Sequence, residues 1–113
     1  MAGSASRHWL GERIKSAILL PLTIAMLWIV VPLIGADFAT AKAALSAPLA
    51  AILLILFFAV TAKHLEEGLQ VVIEDYVHAP AMFGALTWIN RLFSWGVGLI
   101  AIFALIKIAF LGA

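Results

Sequence analysis

The sequence predicts an all-α integral membrane protein whose three transmembrane helices pack into a bundle. Three observations carry this. The chain of 113 residues is 65% hydrophobic and only 12% charged, whereas a soluble domain this small needs many polar residues to cover its surface. Long windows have no charge at all: Ser16 to Ala36, Ala43 to Ala62 and Leu92 to Ile106. With its flanks, each window reaches the roughly 20 residues needed to span about 30 Å of hydrocarbon. The net charge of +1 comes without a basic stripe, so nucleic acid is not an expected partner. Cysteine is absent, which excludes disulfides, thiolate chemistry and iron–sulfur ligation by this chain.

Residues 1–10 are small, polar and Ser/Gly-containing, and are expected to form a flexible or peripheral N-terminus. The first transmembrane helix is expected over residues 11–34, with Glu12, Arg13 and Lys15 at its interfacial start. A secretory signal is the alternative for this stretch. The apolar run is long for one, holds Pro21 and Pro32, and lacks a small-residue cleavage site. A polar loop, Gly35 to Lys42, follows. The second helix is expected over 44–77, ending where Ala79-Pro80 disfavours helical geometry. At about 1.5 Å per residue it is longer than the hydrocarbon requires, so its last turns leave the lipid. The third helix is expected over 83–111. The whole chain reads as one membrane domain.

Basic residues favour a cytoplasmic N-terminus and an external C-terminus. Arg7, Arg13, Lys15, Lys63 and Arg91 fall on the first side, and Lys42 and Lys107 on the other.

The segment His64 to His78, HLEEGLQVVIEDYVH, holds two histidines, a tyrosine and four of the six acidic residues. A histidine at the depth of His64 is costly unless it faces the protein interior and has a partner. Gly68, Val71 and Asp75 follow it on one helical stripe, because eleven residues return an α-helix to within about 20° of its starting direction. A bulky group could lie over the glycine. Neutral imidazole is a haem-iron ligand, and a histidine simply hydrogen-bonded between helices is the plainer reading. Lys63, Glu66 and Glu67 read as local ion pairs and a polar flank, or as a proton path. Tyr76 reads as an interfacial anchor, or as a phenol able to donate to a quinone carbonyl beside Asp75. Arg13 reads as an interfacial anchor that can also bind a carboxylate bidentately. Trp9, Trp28, Trp88 and Trp95 read as belt or packing residues.

His8-Trp9-x₃-Arg13 before the first helix and His64-x₃-Gly68-x₆-Asp75-Tyr76 at the end of the second resemble the small hydrophobic membrane anchor subunit of succinate dehydrogenase, respiratory complex II. Gly68 to His78 is similar to its alphaproteobacterial and mitochondrial-type members. The likeness covers nearly the whole chain in layout, and its specific part is the helix-two motif. It implies a non-catalytic subunit of the bacterial inner membrane, bundled with a second membrane anchor subunit beneath an iron–sulfur subunit and a flavoprotein subunit. It further implies that His64 is one axial ligand of a haem b shared with the partner anchor. Tyr76 and Asp75 would belong to the site where ubiquinone, the substrate, is reduced, and Arg13 would lie near the haem propionates or quinone pocket. The sequence departs from the pattern at Glu67, where an apolar residue is usual before the glycine. Its direction is offset from that of His64 by about 60°. A fumarate reductase anchor, a small proton- or ion-handling protein and a purely structural subunit are the alternative readings.

Overall fold

The computed structural model describes residues 2–111. It is all-α, with α1 (Ala2–Val30), α2 (Phe38–Ser46), α3 (Pro48–Tyr76) and α4 (Pro80–Phe110), and a 3₁₀ turn at Val31–Leu33. Helices α1, α3 and α4 are long and apolar enough to cross a membrane. The molecule measures 50 Å along its longest axis, enough for about 30 Å of hydrocarbon and both interfaces.

Three boundaries differ from the sequence-based expectation, each for a local reason. The polar start of the chain, expected as a peripheral segment up to residue 10, is helical from Ala2 and continuous with the first span. Its residues are tolerable helix formers, and nothing between them and Gly11 breaks the ladder. The second span does not begin at residue 44. Pro48 opens α3 with Ala47 in extended conformation before it, because proline disfavours helical geometry at the preceding residue yet fits the first helical position. What precedes Pro48 is a separate short helix, α2, which takes in residues expected as polar loop up to Lys42 and as the start of the second span from residue 44. The third span starts at Pro80, itself at a helix N-terminus, rather than at residue 83.

The crossing from α1 to α2 is built from turn chemistry. Gly35 has φ +80°, a conformation open to glycine at little cost, and the Ala36 amide donates to the Leu33 carbonyl at 3.0 Å. Asp37 caps α2 by accepting from the Thr40 amide at 2.8 Å. Hydrogen bonds from the Thr40 side chain and backbone hold its carboxyl below its ordinary value. At the other end of α2 the Ser46 hydroxyl donates to the Ile108 carbonyl at 3.2 Å, which ties α2 to the end of α4.

α3 lies in the middle, packed on α4 along one side and on α1 along another. The seam with α4 is narrow. Ala51, Leu54 and Ala62 are buried on α3, and Asn90, Ser94, Gly98 and Leu105 on α4, each set recurring at helical spacing. The helices approach closely at Gly98, where an added Cβ would stand 2.7 Å from the Ala62 Cβ. Most other large apolar side chains, Leu20, Trp28, Leu92 and Ile100 among them, face outward, as lipid-facing or partner-facing surfaces must.

The close approach gives a direct test. Gly98→Ala should lower anchor stability in detergent by about 1–3 kcal/mol through overpacking. Ala62→Gly removes the atom that the new methyl meets, so the double variant should recover much of that loss in a denaturation titration. Equal losses in single and double variants would place the strain elsewhere.

Candidate functional site

The end of the bundle where α1 begins and α3 finishes carries nearly all the ionisable groups. Pro48 to Lys63 is about 22 Å of helix, so the layer of Lys63, Glu66 and Glu67 lies near the far edge of the hydrocarbon. Everything beyond it on α3 has access to headgroups and water.

That layer joins three helices. Glu66 turns toward α4, where its carboxylate accepts the indole N–H of Trp95. Its backbone carbonyl accepts from Asn90 Nδ2 at 2.8 Å. Glu67 turns toward α1, where Lys15 Nζ donates to Oε1 at 2.9 Å. Lys63 lies 3.6 Å from Glu66 and 3.7 Å from Glu67, and Glu12 lies 3.7 Å from Lys15. The local Lys63–Glu67 pair expected from sequence is present, but the two glutamates are not a solvated polar flank. Each is spent on a neighbouring helix. A charge is tolerated at this depth when a partner of opposite sign and hydrogen bonds meet it.

Further along the seam, Asn90 Nδ2 also reaches Gln70 Oε1 at 3.3 Å. Gln70 Nε2 donates to Thr87 Oγ1 at 3.0 Å, and Ser94 Oγ donates to Asn90 Oδ1 at 3.0 Å. Sequence reasoning passed over this ladder. Its signal was the recurrence of Thr87, Asn90, Ser94 and Gly98 at spacings of three and four, a polar and small stripe on one face of an otherwise apolar helix.

His64 lies on the other side of α3. It sits two residues from both Ala62 and Glu66, and so points about 160° away from the seam. A cleft of about 430 Å³ between α1 and α3 is lined by His64, Gly68, Val71 and Glu67 from α3 and by His8 and Glu12 from α1. A second groove, lined by Ser16, Leu19, Leu20 and Thr23 of α1, meets the first at His64. The imidazole is exposed and has no hydrogen-bond or ion-pair partner among the described residues. A Cβ on Gly68 would meet nothing within 4 Å. The alternative of a histidine bonded between the packed helices of this chain is therefore not what the structure holds.

The remaining predicted residues are not gathered into the cleft. Asp75 continues the His64–Gly68 stripe and is exposed near the end of α3, while Glu74 reaches the cleft wall. Tyr76 is the last helical residue, 78% exposed, on a different face. Arg13 lies on the outer side of α1, stacked over the Trp9 ring at 5.2 Å. Among the described residues no group of three or more His, Asp or Glu could hold a metal ion. A macrocycle here would need its second axial ligand from another chain.

Residues 2–108 match the family model described as succinate dehydrogenase/fumarate reductase transmembrane subunit. The chain belongs to that family. No significant match was found among curated proteins or among solved structures. As a family member, the chain is a multi-pass, non-catalytic membrane anchor of the enzyme complex. That context implies a second anchor, an iron–sulfur subunit and a flavoprotein subunit.

The Lys15–Glu67 pair fixes α1 against α3 beside this cleft. Lys15→Met and Glu67→Gln should each loosen the anchor. Because both remove the shared contact, the double variant should lose less stability than the sum of the two single losses. Strict additivity in a detergent unfolding series would show the pair to be uncoupled.

Proposed function

We propose that this chain, with a second anchor, docks the iron–sulfur and flavoprotein subunits on the cytoplasmic face of a bacterial inner membrane. It also supplies part of the site where electrons from succinate reduce ubiquinone. Its N-terminus lies in the cytoplasm and its C-terminus outside, in keeping with the distribution of basic residues. The observation that carries the reading is the division of α3 into two faces. One is closed against α4 by hydrogen bonds to Glu66 and Gln70. The other, with His64 and Gly68, is left open beside α1.

The residues present suit haem b. His64 offers a free imidazole nitrogen, the missing side chain of Gly68 leaves room for a flat ring, and Val71 gives an apolar wall, with Glu12, Glu67, Gln70 and Glu74 as the polar part of the lining. Haem, when bound, supplies one-electron storage close to the iron–sulfur subunit. Arg13, at the interfacial end of α1, offers a guanidinium suited to a propionate or to the quinone pocket.

Asp75 and Tyr76 stand at the end of α3, where a lipid-soluble acceptor can meet aqueous protons. The phenol of Tyr76 donates a hydrogen bond to a quinone carbonyl, which draws electron density onto that oxygen as electrons arrive. Asp75, on the neighbouring face of the same turn, offers a carboxylate that can hold a proton taken from the aqueous side. Reduction to the quinol takes two electrons and two protons. Succinate oxidation supplies the electrons at the flavin, and the cytoplasmic water supplies the protons. The family also includes anchors of fumarate reductases. Lys63, Glu66 and Glu67 are engaged in ion pairs and hydrogen bonds between helices, which speaks for a structural layer rather than an ion pathway.

Two variants test the reading separately. His64→Ala should lower the haem b bound per flavin in the purified complex, measured from the reduced absorption spectrum, and unchanged haem would remove His64 as a ligand. Tyr76→Phe should depress succinate–ubiquinone turnover several-fold. It should spare succinate oxidation by a dye that accepts electrons upstream of the membrane. Wild-type rates in both assays would exclude Tyr76 from the site.

A further inference from the structure

His64 and the α4-facing side of α3 lie on opposite faces of one helix, so whatever fixes the rotation of α3 about its own axis also aims His64. The apolar part of the seam cannot do this alone. Alanine, leucine and glycine contacts such as Ala51, Leu54 and Ala62 against Gly98 and Leu105 bring helices close. Apolar surfaces of this kind, however, pack in more than one register at similar energy. The link from α3 to α4, Val77 to Ala79, is short enough to limit sliding, yet it leaves rotation free.

Hydrogen bonds discriminate between registers where methyl groups do not. Asn90 is 5% exposed and Ser94 1% exposed. The Asn90 carboxamide makes three bonds: two from Nδ2, to the Glu66 carbonyl and Gln70 Oε1, and one accepted at Oδ1 from Ser94. Gln70 passes the connection on to Thr87. Turning α3 by one residue swings its side chains by about 100° and strands this carboxamide in a dry interface, an unfavourable state for a buried amide.

We infer that Asn90 is a positioning residue: it sets the rotational register of α3 and so the direction in which His64, Gly68, Asp75 and Tyr76 face the partner subunits. This rests on the quinone-site reading above and adds to it a residue on a different helix that touches neither ligand.

The test uses the assembled complex with Asn90→Leu, which keeps the branched side-chain skeleton and removes the hydrogen bonds, and Asn90→Gln, which restores a carboxamide. Because the chain has no cysteine, nitroxides on Leu69→Cys and Ile89→Cys report the α3–α4 geometry, against a complex carrying neither label site. Asn90→Leu should broaden or shift that distance distribution. It should raise the KM for ubiquinone several-fold with a smaller change in kcat, and leave succinate–dye activity intact. Asn90→Gln should recover part of both changes. If Asn90→Leu does not assemble, Ser94→Ala removes one bond of the ladder and should move both readouts the same way by less. An unchanged distance distribution overturns the register role. A changed distribution with wild-type KM, while Tyr76→Phe does impair quinone turnover, overturns the positioning role. If Tyr76→Phe is silent as well, the register stands and the quinone-site reading falls.

Discussion

Lipid tails are as apolar as leucine, so the hydrophobic effect that gathers helices in water does little to hold α3 against α4 in a bilayer. The seam has to be held by contact distance and by hydrogen bonds, and both are concentrated on one stripe of each helix. Gly98 lets the backbones approach until no Cβ fits against Ala62. Dispersion attraction falls steeply with separation, so that closeness is itself stabilising. Toward the N-terminal side of the membrane the same stripes turn polar, and Asn90, Gln70, Thr87 and Ser94 satisfy one another. The small contacts supply proximity and the polar ladder supplies uniqueness.

Everything on the opposite face of α3 follows from that commitment. A helix with one side closed by α4 has the rest of its circumference to share between α1, lipid and other subunits. The Lys15–Glu67 pair brings α1 against only part of it, so His64 and Gly68 stay at the mouth of a groove rather than beneath a helix. For a self-sufficient protein, an exposed histidine near the hydrocarbon edge would be a liability. For one half of the shared site proposed above it is the expected state, since the group that covers it and a second ligand would come from outside the chain. On the same proposal Tyr76 and Asp75 are exposed because they would meet the partner subunits where α3 leaves the bilayer.

The three spans were legible because absence of charge over some 20 residues is a strong signal that needs no tertiary information. The helix ends were less so. Ala43 to Ala62 is apolar without interruption in charge, and hydropathy hides the break at Ala47-Pro48 that separates α2 from α3. Only the stereochemistry of proline marks it. The helical start at Ala2 was hidden by weak composition signals, which continuity with α1 overrides. The His64 stripe could be drawn from helical geometry alone, but the cleft could not, because the positions of His8 and Glu12 beside it depend on how α1 leans on α3. The ladder left a trace in the spacing of Thr87, Asn90 and Ser94, yet its partners Glu66 and Gln70 become evident only once the two helices are placed face to face.

The Glu66-Glu67 pair, the feature that fits the family pattern least, is reconciled by direction. Two adjacent carboxylates on a helix point about 100° apart, and each is claimed by a different neighbour: Glu66 by Trp95 on α4, Glu67 by Lys15 on α1. Neither points along the His64 direction, although Glu67 reaches the cleft wall. One of its oxygens, Oε1, has two ammonium groups within reach, Lys15 at 2.9 Å and Lys63 at 3.7 Å. These pairs offset part of the carboxylate's desolvation, while its other oxygen, Oε2, is buried without a hydrogen-bond partner among the described residues. A residue that looked incompatible with a site at His64 instead helps hold the two helices that frame it.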